Sequence, residues 1–124
     1  MPGETILVAE DNAVEREGLA VVLRQRGYTV LTARDGAEAL TLLLRTGPAP
    51  GLILLDMLMP GCDGWQFLDR RQPSPALAAV PVVVTTGLAT ANAAWAASLG
   101  AVGFLRKPFG VEALLAEVRR WLPA

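Results

Sequence analysis

The sequence predicts an α/β fold, a (βα)5 doubly wound, five-stranded parallel sheet in a three-layer sandwich. Five short apolar, β-branched runs alternate with longer segments of helical periodicity, the pattern of βα units around a parallel sheet. Two of the runs, LILLD and VVV, are apolar without alternation, as central strands covered on both faces are. Three of the intervening segments open on a polar cap residue followed three positions later by Glu or Gln.

The first strand is TILVA (Thr5–Ala9). Asn12 and Glu15 then open a helix that Gly27 ends, because glycine suits the left-handed position after a helix; Val14, Gly18, Val21 and Val22 share one face of it. TVLTA (Thr29–Ala33) follows, and Asp35 with Glu38 caps a second helix in which Ala37, Leu40 and Leu44 point one way and Gly47 is the stop. After LILLD (Leu52–Asp56), Asp63 with Gln66 opens a third helix that breaks before QPSP (Gln72–Pro75). VVVTT (Val82–Thr86) leads to an Ala-rich fourth helix ending at Gly100. GFLR (Gly103–Arg106) leads to a fifth helix from about Val111, with Leu114, Leu115, Val118 and Leu122 as its stripe. No linker or repeat interrupts the series, so residues 1–124 read as one domain with right-handed crossovers.

Composition removes several classes of function. Eleven basic and 12 acidic side chains give a net charge of -1 with no long run of either sign, which makes no case for direct nucleic-acid or membrane binding. No apolar stretch reaches the roughly 18 residues of a membrane span, and the N-terminus meets acid too early for a signal peptide, so a cytoplasmic location is expected. With no histidine and one cysteine, Cys62, there is no internal disulfide, no zinc cluster and no Ser-His-Asp or Cys-His mechanism. Carboxylates, hydroxyls and an amine remain.

Those groups fall where a parallel sheet binds ligands, beyond the carboxyl ends of its strands. The first strand runs into Glu10 and Asp11, the third ends in Asp56, the fourth in Thr86 before Gly87, and the fifth runs into Lys107 and Pro108. Three carboxylates at one sheet edge repel one another, and a hard divalent cation with oxygen ligands, magnesium above all, resolves the repulsion. Each acid has a plainer reading, as a helix-start or turn residue facing the helix dipole. Against it stand the adjacent pair after an apolar strand and the Met59-Pro60-Gly61 turn that leaves Asp56 open at the rim. Lys107 could be an ordinary surface lysine, but it is the only lysine among 11 basic residues and precedes a proline, where a cis Lys107-Pro108 peptide would re-aim the backbone.

Taken together, ILVAEDN, LLDMLMPGCDG, VVVTTG and FLRKPF resemble, in order and near-family spacing, the receiver domain of two-component response regulators, the CheY-like variant of the flavodoxin-like architecture. The resemblance covers about residues 5–122. It implies that Asp56 accepts a phosphoryl group from the phosphohistidine of a histidine kinase or phosphotransfer protein. It implies further that Asp11 and Asp56 ligate Mg2+ directly, Glu10 through water, and the Leu58 backbone carbonyl as well. Thr86 and Lys107 would contact the phosphoryl oxygens, and Phe104 would be the switch aromatic that rotates as the Thr86 hydroxyl turns. The output would be read by a downstream partner on the face of the fourth helix, fifth strand and fifth helix, with a homodimer also open. Counting back from Lys107 selects Thr85 as the switch hydroxyl, and counting forward from Pro81 selects Thr86; Gly87 favours Thr86. Leu58 and Leu88 are apolar where the family often places polar residues, which predicts a long-lived phosphoryl group.

A flavodoxin-like FMN carrier would need a hydroxyl- and glycine-rich loop after the first strand, where Glu10 and Asp11 would repel phosphate. A dehalogenase-type phosphatase would need a second aspartate at Leu58. The remaining alternative is a receiver-like interaction module that is not phosphorylated.

Overall fold

The computed structural model describes residues 4–45 and 49–122. Five strands, β1 (Thr5–Ala9), β2 (Thr29–Ala33), β3 (Leu52–Asp56), β4 (Val82–Thr86) and β5 (Gly103–Arg106), coincide with the five apolar runs. They form one all-parallel sheet in the order β2-β1-β3-β4-β5. β3 and β4 are buried along their whole length, which explains why neither alternates. The helices are α1 (Ala13–Gln25), α2 (Gly36–Arg45), α3 (Gly64–Arg71), α4 (Pro75–Ala78), α5 (Ala93–Ser98) and α6 (Val111–Trp121). Among the described residues no helix is long and apolar enough to cross a membrane.

Two cores sit on opposite faces of the sheet. Ile6, Val8, Leu52, Leu54 and Val83 pack against Ala20 and Leu23 of α1 and against Leu114, Leu115 and Val118 of α6. Leu7, Ile53, Leu55, Val82 and Val84 pack against Ala39 and Leu43 of α2, Phe67 and Leu68 of α3, Leu77 of α4 and Ala96 of α5. The expected stripe of α6 is buried. Those of α1 and α2 are rotated from expectation. Val14 is 83 % exposed and Leu44 76 %, while Ala20, Leu23, Ala39 and Leu43 point inward. Each helix covers the sheet with the face that carries its most buried pair, Ala20 with Leu23 in α1 and Ala39 with Leu43 in α2.

The N-caps form as their spacing predicts, but the reciprocal box closes at only one of the three: the Glu15 carboxylate turns to Lys107, and that of Glu38 accepts from the Arg34 N–H. Asn12 accepts from the Glu15 N–H, Asp35 from Glu38, and Asp63 with Gln66 makes a reciprocal capping box. Gly27, at φ 92, ends α1. The expected stop at Gly47 lies outside the described residues. One helix is additional. QPSP is a break that also starts α4, because Ser74 accepts from the Leu77 N–H and Pro75 takes the first turn, where no N–H is needed. Buried Arg71 of α3 holds this turn by donating to the carbonyls of Leu77 (3.0 Å) and Val80 (2.7 Å).

At Gly64 the start of α3 packs onto the end of β3. A Cβ there would lie 2.5 Å from Met57 Sδ and 2.7 Å from Met57 Cα, backbone that cannot yield. Gly64→Ala is therefore expected to lower the unfolding free energy by about 1–3 kcal/mol, measured by chemical denaturation. An unchanged midpoint would show that the helix moves off freely.

Candidate functional site

The strand order reverses between β1 and β3, which makes their carboxyl ends the sheet's switch point and opens a crevice there. β1 delivers Glu10, whose backbone is still paired with Ala33 of β2 (N–H to O, 2.9 Å), followed by Asp11. β3 delivers Asp56. One carboxylate oxygen from each of Glu10, Asp11 and Asp56 lies within 4.8 Å of the others. Glu10 is 2 % exposed and Asp56 4 %, whereas Asp11 is open to solvent.

Lys107, from the end of β5, reaches into this group. Its Nζ lies 2.5 Å from Glu10 Oε1 and 3.4 Å from Asp56 Oδ2, and the Lys107-Pro108 peptide is cis. Burial pulls the ammonium pKa down. The hydrogen bond to Glu10 and the charges of Asp56, Glu10 and Glu15 outweigh burial and leave it above the ordinary lysine value. For Asp56 the balance differs. Burial first, then the Glu10 charge, push its carboxyl up to about 7, against the opposing pull of Lys107 and of the Leu58 N–H that donates to Oδ1 at 3.2 Å. One ammonium does not offset three clustered carboxylates. All the clustered donors are oxygens, the set a hard divalent cation takes.

Thr86 is buried, and its Oγ1 accepts from the Leu88 N–H at 3.2 Å. Side chains alternate along β4, so Thr86 shares the face of Val82 and Val84, and Val84 is the register partner of Phe104. Thr85, level with Asp56 in the register, shares the opposite face with Val83. Phe104 is half-buried at the edge of the first of these packings. The side chain of Leu58 stands 52 % exposed beside Asp56, and a Cβ on Gly87 would meet only Lys107 Cβ, at 4.0 Å.

Three further charged residues belong to this region, Glu15 among them, which the sequence marks only as a helix-start residue. Glu15, on the first turn of α1, places Oε1 3.5 Å from Lys107 Nζ. Arg16 Nη1 donates to the carbonyls of Glu10 (2.9 Å) and Asp11 (3.3 Å), fixing the acidic turn. Arg106 ties the segment after Thr86 to β5. Only the position of Glu15, one turn into a helix that starts at the acid pair, offered a signal. The other two act on backbone carbonyls, which no side-chain pattern reveals. Beside Lys107 a groove of about 330 Å³, lined by Leu19, Val22, Phe109 and Leu114, opens between α1 and α6.

An acid-lined crevice at the switch point of a five-stranded parallel sheet, with one lysine reaching into it, defines a class of α/β domain built for carboxylate chemistry. Residues 6–119 match the response regulator receiver domain, and the chain belongs to that family. It is 36 % identical to the alkaline phosphatase synthesis transcriptional regulatory protein SphR of Synechococcus elongatus, over 98 % of this chain and 49 % of SphR. The chain thus spans about half the length of that relative. A putative response regulator from Chloroflexus aurantiacus superposes with a TM-score of 0.86 at 31 % identity, covering 98 % of this chain and 99 % of that one. The receiver domain of the sensor histidine kinase PA1611 from Pseudomonas aeruginosa, solved with a magnesium ion coordinated in its active site cleft, gives 0.85 at 28 % identity, with the same coverage. The chain is accordingly a signalling domain of two-component phosphorelays, a family whose members work with histidine kinases and downstream effectors.

Proposed function

We propose that this receiver domain accepts a phosphoryl group on Asp56 in a Mg2+-dependent reaction, catalysing only its own phosphorylation and dephosphorylation. The observation that carries the proposal is the convergence of Glu10, Asp11 and Asp56 on one point, with the Lys107 ammonium against two of them. Asp11 and Asp56 would hold the cation directly, Glu10 through water, and the Leu58 carbonyl would complete the protein ligands. Bound there, magnesium supplies charge neutralisation for the transferring phosphoryl oxygens.

The chain's own residues do the rest. An ionised Asp56 oxygen attacks phosphorus as the bond to the donor histidine nitrogen breaks. Lys107, already 3.4 Å from Asp56, moves its charge onto the phosphoryl oxygens. Thr86 is the hydroxyl that follows the phosphoryl group, because it shares a face with Phe104 and Thr85 does not. Gly87 leaves the approach open. A downstream partner then reads the face of α5, β5 and α6, where Val102, next to β5, is exposed. Incubation with acetyl phosphate and magnesium, followed by a phosphate-affinity gel, is expected to retard the wild-type chain and not Asp56→Asn. Equal mobility of the two, with no magnesium binding, would favour a silent interaction module.

The exposed Leu58 side chain shields the acyl phosphate from water without offering a group to orient it. Phosphoryl-Asp56 is therefore expected to be long-lived, and Leu58→Asn to speed its loss by about tenfold, equivalent to about 1.4 kcal/mol of barrier. Release of label from purified protein after donor removal measures both. Rapid loss from the wild type would contradict the shielding.

A further inference from the structure

Arg106 occupies an unusual position for a surface arginine. Its register partner across the sheet is Thr86, and its guanidinium leaves β5 to bridge the segment after that threonine. Nη1 donates to the Leu88 carbonyl at 2.6 Å and Nη2 donates to the Ala91 carbonyl. The Ala91 N–H closes the same turn onto Leu88 O at 3.1 Å, and the Leu88 N–H donates to Thr86 Oγ1 at 3.2 Å. The guanidinium carbon also lies 5.3 Å from the centroid of the Phe104 ring, within cation–π range. One cation thus touches both ends of the turn from Leu88 to Ala91, and the aromatic ring on the same face. Only a planar fork does this; a lysine ammonium could reach one carbonyl at a time with a compact charge.

We propose that Arg106 is a positioning residue that holds the turn 88–91 and the Phe104 ring in the arrangement in which the Thr86 hydroxyl is engaged by Leu88, so that phosphorylation works against it. The inference rests on the reading of Asp56 as the phosphoryl acceptor. Drawing the Thr86 hydroxyl toward a phosphoryl group on Asp56 releases the Leu88 N–H. Leu88 then moves and its carbonyl leaves the guanidinium. The clamp stabilises the unphosphorylated state selectively, and a ligand that favours the other state binds more weakly for it.

The test is a titration with beryllofluoride and magnesium, a phosphoryl mimic, followed by tryptophan fluorescence, since Trp95 stands on α5 just beyond the turn and meets Trp65 edge-on at 5.9 Å. Arg106→Ala is expected to bind beryllofluoride about threefold to tenfold more tightly than the wild type, the range of one or two hydrogen bonds lost from one state only. Arg106→Lys is expected between the two. Equal or weaker binding by a folded Arg106→Ala would overturn the proposal, because a merely structural arginine lowers stability in both states alike. If Arg106→Ala does not fold, Arg106→Gln is titrated in its place under the same criterion. A wild-type chain that fails to bind beryllofluoride overturns the acceptor reading instead. Amide exchange at Ala91 in the unliganded protein then decides the clamp alone, faster exchange in the variant supporting it and unchanged exchange refuting it.

Discussion

Asp56→Asn is expected to stabilise the metal-free protein at neutral pH by up to about 4 kcal/mol, the free energy of raising a carboxyl from 3.8 to about 7. The sign follows from where the proton is bound. Folding places Asp56 in a buried site beside the Glu10 charge, so the native chain holds that proton more tightly than the unfolded chain. Wild-type stability should therefore fall as pH rises from about 4 to about 7 and level off above. The Asn variant, with nothing to ionise at that position, should lack this slope. Urea denaturation across the pH range in chelator measures it. Magnesium should invert the ranking, stabilising the wild type more than the variant and releasing protons to solvent near pH 7 as the metal displaces the proton from Asp56. Parallel pH profiles for the two proteins would show that Asp56 ionises normally.

Lys107→Ala is expected to move two readouts in opposite directions. Phosphoryl incorporation from acetyl phosphate should slow by about 10²–10³, the usual loss when a preorganised cationic or hydrogen-bonding group is removed from a developing anion. Magnesium, by contrast, should bind more tightly, because the ammonium occupies the same oxygens, 2.5 Å from Glu10 and 3.4 Å from Asp56. Glu15, 3.5 Å away in the native site, loses its partner too and adds negative charge to the rim. Stopped incorporation time courses and calorimetric magnesium titrations check the pair. A variant that bound magnesium more weakly would mean that Lys107 organises the acids and does not compete for them.

The strands were legible because a parallel sheet covered on both faces demands continuous apolar runs, and Leu52–Asp56 and Val82–Thr86 could be little else. The caps at Asn12, Asp35 and Asp63 were legible because their chemistry is local, side chain to an N–H three residues on. The residues Glu10, Asp11, Asp56 and Lys107 could be grouped from sequence because strand ends in such a sheet share one edge. What escaped is what depends on three dimensions. The faces that α1 and α2 turn to the sheet depend on packing between distant segments, so Val14 and Leu44 lie outside while Ala20 and Leu43 lie inside. α4 was hidden in a segment read as a break, although Ser74-Pro75 is also a helix start. Arg16, Arg71 and Arg106 act through backbone carbonyls on turns whose shape no residue pattern announces. The choice between Thr85 and Thr86, on which two spacings disagreed, becomes a question of which face each occupies, and Phe104 shares the face of Thr86.

Locating the phosphoryl group decides the role of Asp56. The protein is incubated with acetyl phosphate with and without magnesium, and any acyl phosphate is reduced with borohydride, which converts a phosphorylated aspartate to homoserine. The peptides are then mapped by mass. Homoserine is expected at position 56, only when magnesium and donor are both present. Homoserine at position 11, or an unmodified Asp56 under conditions that phosphorylate a receiver domain run in parallel, would contradict Asp56 as the acceptor.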